Sequence, residues 1–102
     1  MAEEKPEEEN EEGVDTKEIL LPQYKIILHN DDITPMDFVL AVLDRFFSLS
    51  HEKSREVMIE AHKYGTALVT IMPLEHAEFV VEQAHAYARG HDYPLTFTIE
   101  PV

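Results

Sequence analysis

The sequence turns from a strand pattern to a helix pattern at Asn30-Asp31-Asp32-Ile33-Thr34-Pro35-Met36, between apolar residues 24–28 and an apolar helical repeat at residues 37–47. A polar junction of this kind either makes the turn or binds a ligand. An Asx turn explains one of the two acids. Two adjacent carboxylates repel each other unless something positive is near, and no Lys or Arg is close in sequence. A bound cation is therefore one way to complete the junction.

The segments flanking the junction predict a strand and a helix. Residues 24–29 are β-rich, and their three consecutive aliphatics indicate a strand that is buried on both faces and hence central in its sheet. Thr34 is expected at the helix N-cap, with Pro35 at the first helical position and Asp37 in a capping-box position. The inner face of this helix repeats at helical spacing through Met36, Val39, Leu40, Leu43, Phe46 and Phe47.

Further capping signals predict the rest of the chain. Ser50 caps a second helix, residues 51–64, and Gly65 ends it in a left-handed conformation. Residues 66–72 form a second strand.

A third helix starts at Pro73 and ends at Gly90, and residues 94–100 form the last strand. The order β-α-α-β-α-β predicts an α+β fold, with three helices on one face of a three-stranded, mainly antiparallel sheet. A right-handed crossover through the third helix makes the second and third strands parallel, with the first strand between them and antiparallel to both.

Composition divides the chain into two parts. Its 102 residues suffice for one domain. Residues 1–19 are rich in Glu and poor in large apolar side chains, so we expect a disordered acidic extension, followed by a folded domain at residues 20–102. The absence of cysteine excludes disulfides, thiolate metal sites and a cysteine nucleophile.

The net charge of -13 restricts the classes of partner. Such a surface repels phosphate backbones and anionic lipid, so we expect no nucleic-acid and no membrane partner, whereas cationic ligands are favoured. No apolar run approaches the roughly 18–20 residues of a membrane helix, and the first residues lack a signal-peptide pattern. We therefore expect a cytoplasmic protein. The sequence has no Gly-rich phosphate loop, and we expect no cofactor.

Two groups of residues are candidates for a site. An apolar set, Met36, Val39, Met58 and Leu95, fits an ordinary core, but Met36 directly follows the acids and a thioether adapts to different ligand shapes. His62 lies close to the same helical stripe; alternatively, it is a helix-end residue that interacts with the helix dipole. A metal site built from His29, Asp31, Asp32 and His62 is a further alternative.

Several runs together form a family signature: residues 24–28 (Tyr-Lys-Ile-Ile-Leu), Asn30-Asp31-Asp32, Thr34-Pro35-Met36, Phe38-Val39, Phe46-Phe47, His62, Gly65 and Pro94-Leu95. From about Pro22 onward the sequence resembles the ClpS family, adaptors for the ClpA/ClpP-type ATP-dependent protease, and a related domain of some eukaryotic ubiquitin ligases. The resemblance implies a non-enzymatic, monomeric adaptor. It would bind N-degron proteins that begin with Leu, Phe, Tyr or Trp and deliver them to a ClpA-type or ClpC-type unfoldase.

The resemblance also implies residue roles. Contact with the free α-amino group, and the rim around it, would come from Asn30, Asp31, Asp32, Thr34 and His62. The hydrophobic pocket would be lined by Met36, Val39, Met58, Ala61 and Leu95, with Met36 resembling a gate against β-branched residues. Glu75 resembles an acidic contact for the unfoldase's N-terminal domain, and the acidic extension resembles the family segment that engages the unfoldase during hand-over.

This sequence departs from the family pattern at several positions. Ile33 stands where an aromatic residue is common, and Tyr93 where His often precedes the Pro-Leu pair. Val80 replaces a frequently basic residue of the third helix, and the small Ala61 can enlarge the pocket for aromatic side chains. Two other functions remain: a protein-interaction domain of the ribosomal-stalk type, which has the same element order, and a small metal-dependent hydrolase that uses the histidines.

Overall fold

The computed structural model describes residues 21–102, which form three strands and three helices. In chain order they are β1 (Gln23–His29), α1 (Met36–Phe47), α2 (His51–Tyr64), β2 (Thr66–Pro73), α3 (Leu74–Gly90) and β3 (Thr96–Pro101). The predicted extension, residues 1–19, lies outside the described residues, as does Leu20. None of the helices within residues 21–102 is long and apolar enough to cross a membrane.

The sheet has the strand order β2-β1-β3, and β1 is antiparallel to both neighbours. The predicted fold class and the central position of β1 are therefore confirmed. The reason given for that position is wrong, because β1 is buried on one face only. Ile26 and Leu28 point into the core, whereas Lys25 and Ile27 lie half-buried on the opposite face.

A β-bulge changes the side-chain phase within β2. Ile26 pairs with Thr70 and Ile27 with Leu68, so Val69 is an extra residue opposite β1. Ala67 and Val69 are buried on the core side, but the shift leaves Ile71 exposed. Simple alternation would have placed Ile71 in the core.

The helix ends confirm two predicted caps and correct two others. The Ser50 side chain accepts a hydrogen bond from the Lys53 N–H, and Gly65 ends α2 with a φ of 94°. Thr34 is not the N-cap of α1; that position is Pro35, whose carbonyl accepts the N–H groups of Phe38 and Val39 at 3.1 Å. Because proline has no N–H, it offers no donor for the reciprocal bond of a capping box from Asp37.

The end of α3 also differs from the prediction. Gly90 is the last residue of the helix, and His91 takes the C-cap position. The left-handed conformation occurs at Asp92, whose φ is 66°. An Asp tolerates this region better than most residues because its short polar side chain bonds locally.

The core lies between the sheet and the helices. The buried side chains contributed by the helices are Val39, Val42, Leu43, Phe47, Val57, Ala61, Ala77, Val80, Val81, Ala84 and Ala88. A polar contact links α1 and α2: the buried Ser54 hydroxyl donates to Asp44 Oδ1 at 2.5 Å. This hydrogen bond, with a smaller effect from His51, lowers the pKa of Asp44.

Candidate functional site

A cavity of about 300 Å³ opens where the chain passes from β1 to α1. Its walls come from this junction, from the inner faces of α1 and α2, and from the residue that precedes β3. The structure brings all ten of the predicted substrate-binding residues to it: Asn30, Asp31, Asp32, Thr34, Met36, Val39, Met58, Ala61, His62 and Leu95. Their placement in one cavity is observed, and their roles in binding stay predictions.

Asp31 builds the turn at the mouth of the cavity. Its Oδ1 accepts the backbone N–H groups of Ile33, at 2.8 Å, and of Thr34, at 2.7 Å. Its Oδ2 accepts the Thr34 hydroxyl at 2.9 Å, which is why that hydroxyl does not cap α1. A carboxylate has about four acceptor positions, so Asp31 keeps one for a ligand. The turn therefore depends on the Asp31 carboxylate as well as on Thr34 and Pro35.

Asn30 and His62 come together because the junction is tied to the end of α2. The Asn30 N–H donates to the Gly65 carbonyl at 3.0 Å. This bond places the exposed Asn30 side chain beside the last turn of α2, which carries His62. Since His62 is exposed, it is available to a ligand at the rim.

The rim carries negative charge without a matching cation. Asp32 is exposed, and neither Asp31 nor Asp32 forms an ion pair with another residue of the described part of the chain. The ion pairs found there join Asp44 to His51 and Lys53 to Glu56, both outside the cavity. A positively charged group that entered the cavity would thus meet unneutralised carboxylates.

The interior is apolar and largely buried. Val39 is 8% exposed, Ala61 2% and Leu95 1%. Met58 is partly buried, whereas Met36 is 49% exposed and stands at the entrance next to the acids. The cavity therefore runs from an acidic opening to a hydrophobic floor, with a flexible thioether between them.

The four residues of the alternative metal site, His29, Asp31, Asp32 and His62, all line the cavity, but they do not form a set of metal ligands. Across residues 21–102, no three His, Cys, Asp or Glu side chains are grouped so that they could hold a metal ion. The Nε2 atom of His29 lies 2.7 Å from the Thr98 hydroxyl, across the sheet. This geometry gives the hydrolase alternative no set of ligands.

Other residues singled out in the sequence lie outside this cavity. Glu75 lines a second apolar groove of about 290 Å³, together with Leu21, Pro22, Tyr24, Pro73 and Leu74. Val80 is 9% exposed and belongs to the core, so its side chain does not face a docking partner. The Tyr93 ring packs edge-on against Phe38, with 4.7 Å between the ring centroids.

Four residues of the cavity were not among the predicted substrate-binding residues: Leu28, His29, Ile33 and Pro35. Leu28 is the last inward-facing residue of β1 before the junction. Strand alternation combined with the junction's position is a signal that could have identified it.

The family is shown by comparison with known proteins. A family model described as "ATP-dependent Clp protease adaptor protein ClpS" matches residues 21–98. The chain belongs to the ClpS family. ClpS proteins are adaptors of the Clp protease and not catalysts, so this member is not an enzyme.

Individual ClpS relatives align over most of the chain. It is 43% identical over 104 residues to the ClpS adapter protein of Ruegeria sp. (strain TM1040), covering 98% of this chain and 92% of the relative. It is 48% identical over 79 residues to that of Roseobacter denitrificans, covering 78% and 70%. Agrobacterium tumefaciens ClpS2, solved bound to L-phenylalaninamide, matches with a TM-score of 0.76 and 38% identity over 79% of this chain and 98% of that one.

Proposed function

We propose that this ClpS-family adaptor binds proteins through a first residue that is Leu, Phe, Tyr or Trp and delivers them to a ClpA/ClpP-type protease. The observation that carries the proposal is the cavity with an acidic, open rim and a buried apolar interior. An N-terminal residue of this class has two matching parts, a positive ammonium and an apolar side chain. The ligand bound to the A. tumefaciens relative, L-phenylalaninamide, also has both parts.

The rim supplies the acceptors that an ammonium group needs. Its three N–H donors would bond to the Asn30 amide oxygen, the remaining acceptor position of Asp31 and an unprotonated ring nitrogen of His62. Asp32 and Thr34 would shape the rim around them. The unpaired negative charge supports this assignment, because a free amino terminus is the positive group that every such substrate carries.

The interior would take the first side chain. Val39, Met58, Ala61 and Leu95 form its walls, and Met36 stands at the entrance, where a branch at the β-carbon would meet it first. Ala61 adds little bulk, which favours Phe, Tyr and Trp as well as Leu. Ile33, 67% exposed beside this entrance, would contact the residues that follow the first one.

The expected affinity is moderate. Three charge-assisted hydrogen bonds contribute about 1.5–3 kcal/mol each, and burial of one apolar side chain contributes about 1.5–3 kcal/mol. When an association cost of at least about 4 kcal/mol is subtracted, the upper end of this range corresponds to a Kd on the order of micromolar. Moderate affinity suits an adaptor that must release its substrate.

Peptide binding tests the proposal. We would measure fluorescence anisotropy with short peptides that begin with Phe, Leu, Ile or Ala, each with a free and an acetylated amino terminus. Free Phe and Leu peptides should bind at least about tenfold more tightly than Ile and Ala peptides. Acetylation should abolish binding, because it removes the positive charge. Equal binding of free and acetylated peptides would overturn the proposal, since the acids would then have no ammonium to meet.

Delivery requires a second contact. Glu75 lies outside the substrate cavity, so an unfoldase could contact it while the cavity holds a substrate. We infer a ClpA-type or ClpC-type partner that meets Glu75 with its N-terminal domain, and a monomeric adaptor.

A further inference from the structure

β3 lies at one edge of the sheet, bonded to β1 on one side only. On its outer side, alternate backbone groups have no neighbouring strand to pair with. Side chains of α3 bond to a backbone group at the start of this edge and to two carbonyls of the segment before it. The Arg89 Nη1 atom donates to the carbonyls of Tyr93 and Leu95, both at 2.8 Å, and the Phe97 N–H donates to His85 Nε2 at 3.0 Å.

His85 and Arg89 are one helical turn apart, so they lie on the same face of α3. Together they bond to three alternate residues, two of which precede β3 while the third, Phe97, lies in it. His85 also packs beside Phe97, with ring centroids 6.0 Å apart. The two side chains therefore hold these residues against α3, with Arg89 as the donor and His85 as the acceptor.

The middle residue of the held segment is Leu95, a wall of the substrate cavity that is 1% exposed. Leu95 belongs to neither helix of the α1–α2 hairpin that supplies most of the apolar interior. It arrives from a loop that turns through Asp92, and its distance from the opposite walls depends on where that loop is held. The Tyr93 N–H bond to the Ala88 carbonyl, at 3.0 Å, anchors only the start of the loop.

We propose that Arg89 and His85 are positioning residues that set the depth and width of the substrate cavity by fixing the backbone at Leu95. The inference rests on the proposed function of that cavity and adds two residues that do not line it. If the loop moved outward, the apolar wall would retreat from the first side chain of the substrate. The rim that would bind the α-amino group would remain in place, because it is built by the junction between β1 and α1 and by α2.

The protonation state of His85 is consistent with its contact. An Nε2 atom that accepts the Phe97 N–H carries no proton, so the ring is neutral with its proton on Nδ1. Burial, and secondarily the positive charge of Arg89, lower the pKa of His85. The acceptor is thus maintained at neutral pH.

The alternative is that the two side chains only stabilise the fold. An effect on stability can be separated from an effect on cavity shape by comparing two ligands that share the amino group and differ in the side chain. We would titrate phenylalaninamide and alaninamide into the full chain and follow binding by NMR. The readout is the ratio of the two affinities, which a loss of stability alone does not change in the folded protein.

The variants are Arg89→Met and His85→Ala. We expect Arg89→Met to reduce the preference for phenylalaninamide by about three- to tenfold, as for a partial loss of apolar contact. Alaninamide affinity should stay unchanged. Arg89→Lys, which keeps a donor, and His85→Gln, which keeps an acceptor, should restore most of the preference. Arg55→Met makes the same chemical change on the exposed face of α2 and should have no effect.

Two results would overturn the inference while leaving the proposed function intact. One is an unchanged ratio of the phenylalaninamide and alaninamide affinities in both Arg89→Met and His85→Ala. The other is an equal loss of affinity for both ligands. A wild-type chain that bound phenylalaninamide and its N-acetylated form equally would contradict the proposed function itself. The failures are therefore distinguishable within one set of titrations.

Discussion

Asp31 accepts three hydrogen bonds within its own loop, whereas Asp32 is exposed and accepts none from residues 21–102. The two acids are adjacent in sequence, but their environments differ. Asp31 is the Asx-turn residue that shapes the mouth of the cavity, and it keeps one acceptor position for a ligand. Asp32 contributes charge at the rim without supporting the turn.

This difference predicts separate effects of two substitutions. Asp31→Ala should lower the free energy of unfolding by about 1–2 kcal/mol, because two backbone N–H groups lose their acceptor, and should also weaken peptide binding. Asp32→Ala should weaken binding while changing the unfolding free energy by less than about 0.5 kcal/mol. Urea unfolding and peptide anisotropy measure the two quantities.

Asp37 supplies the control for this pair. It is exposed in the first turn of α1 and lies outside the cavity, so Asp37→Asn should leave peptide affinity unchanged. If Asp31→Ala and Asp32→Ala unfolded at the same urea concentration, the turn-forming role of Asp31 would be wrong.

The α1–α2 hairpin carries four of the five apolar residues predicted to line the cavity, so its geometry largely determines the shape of the interior. Ser50 and Gly65 define the two ends of α2. Ser54, which is fully buried, donates its hydroxyl to Asp44 on α1. This bond joins the helices away from the cavity and favours the ionised form of Asp44.

The Ser54–Asp44 contact predicts a pH-dependent contribution to stability. Because the folded pKa of Asp44 is lowered, its contribution is complete above the ordinary Asp value and is lost as the pH falls through the folded value. Ser54→Ala should lower the melting temperature by several degrees at neutral pH. Its difference from the wild type should become smaller in acid, where the hydrogen bond is no longer charge-assisted, as thermal melts followed by circular dichroism would measure.

Asp44→Asn is the matched variant for this prediction. An amide oxygen still accepts from Ser54, but it does not titrate. This variant should therefore lack the acid-dependent change that is assigned to Asp44. A gap between wild type and Ser54→Ala that stayed constant down to low pH would show that the charge of Asp44 plays no part.

Charge is distributed unevenly over the whole chain. Residues 1–18 hold nine of the 21 acids against two lysines, whereas the remainder has twelve acids and six Lys/Arg. Among the described residues 21–102, those that line the candidate cavity fall between residues 28 and 95. We therefore propose that the acidic N-terminal segment acts in delivery and not in substrate binding.

Removal of residues 1–17 tests this division of roles. The shortened chain should bind Phe-starting peptides with wild-type affinity, but it should no longer support degradation of a Phe-starting reporter protein by a ClpA/ClpP-type protease. Peptide anisotropy and a degradation time course measure the two activities. A Gly/Ser segment of equal length in place of residues 1–17 would show whether length or charge is required. Unchanged degradation by the shortened chain would leave the segment without a role in delivery.

Local signals were sufficient for the order of elements and for several helix ends. Ser50 and Gly65 act through bonds within a few residues of themselves, so their effects are visible in the sequence. The candidate site could also be predicted from the sequence, because its acids, Met36 and His62 occur in a family pattern with fixed spacing. Leu28 shows that strand alternation alone would have extended the list.

The predictions that failed concern residues that have more than one possible local hydrogen bond or turn position. Thr34 has the right type and position for an N-cap, but its hydroxyl bonds to Asp31 instead. Gly90 could have ended α3, yet the chain turns at Asp92. In each case the sequence offers two local solutions, and the surrounding structure selects one.

The amino-acid sequence by itself determined the fold class and the order of its elements, since periodicity and caps depend on near neighbours along the chain, and the family pattern in it indicated ten of the residues that meet at the cavity. Only the tertiary structure decided that β1 is buried on one face, that Val80 points into the core, and that Arg89 and His85 hold the segment around Leu95. These features join residues from different elements. Their free energies depend on distances and burial that exist only after the elements have packed.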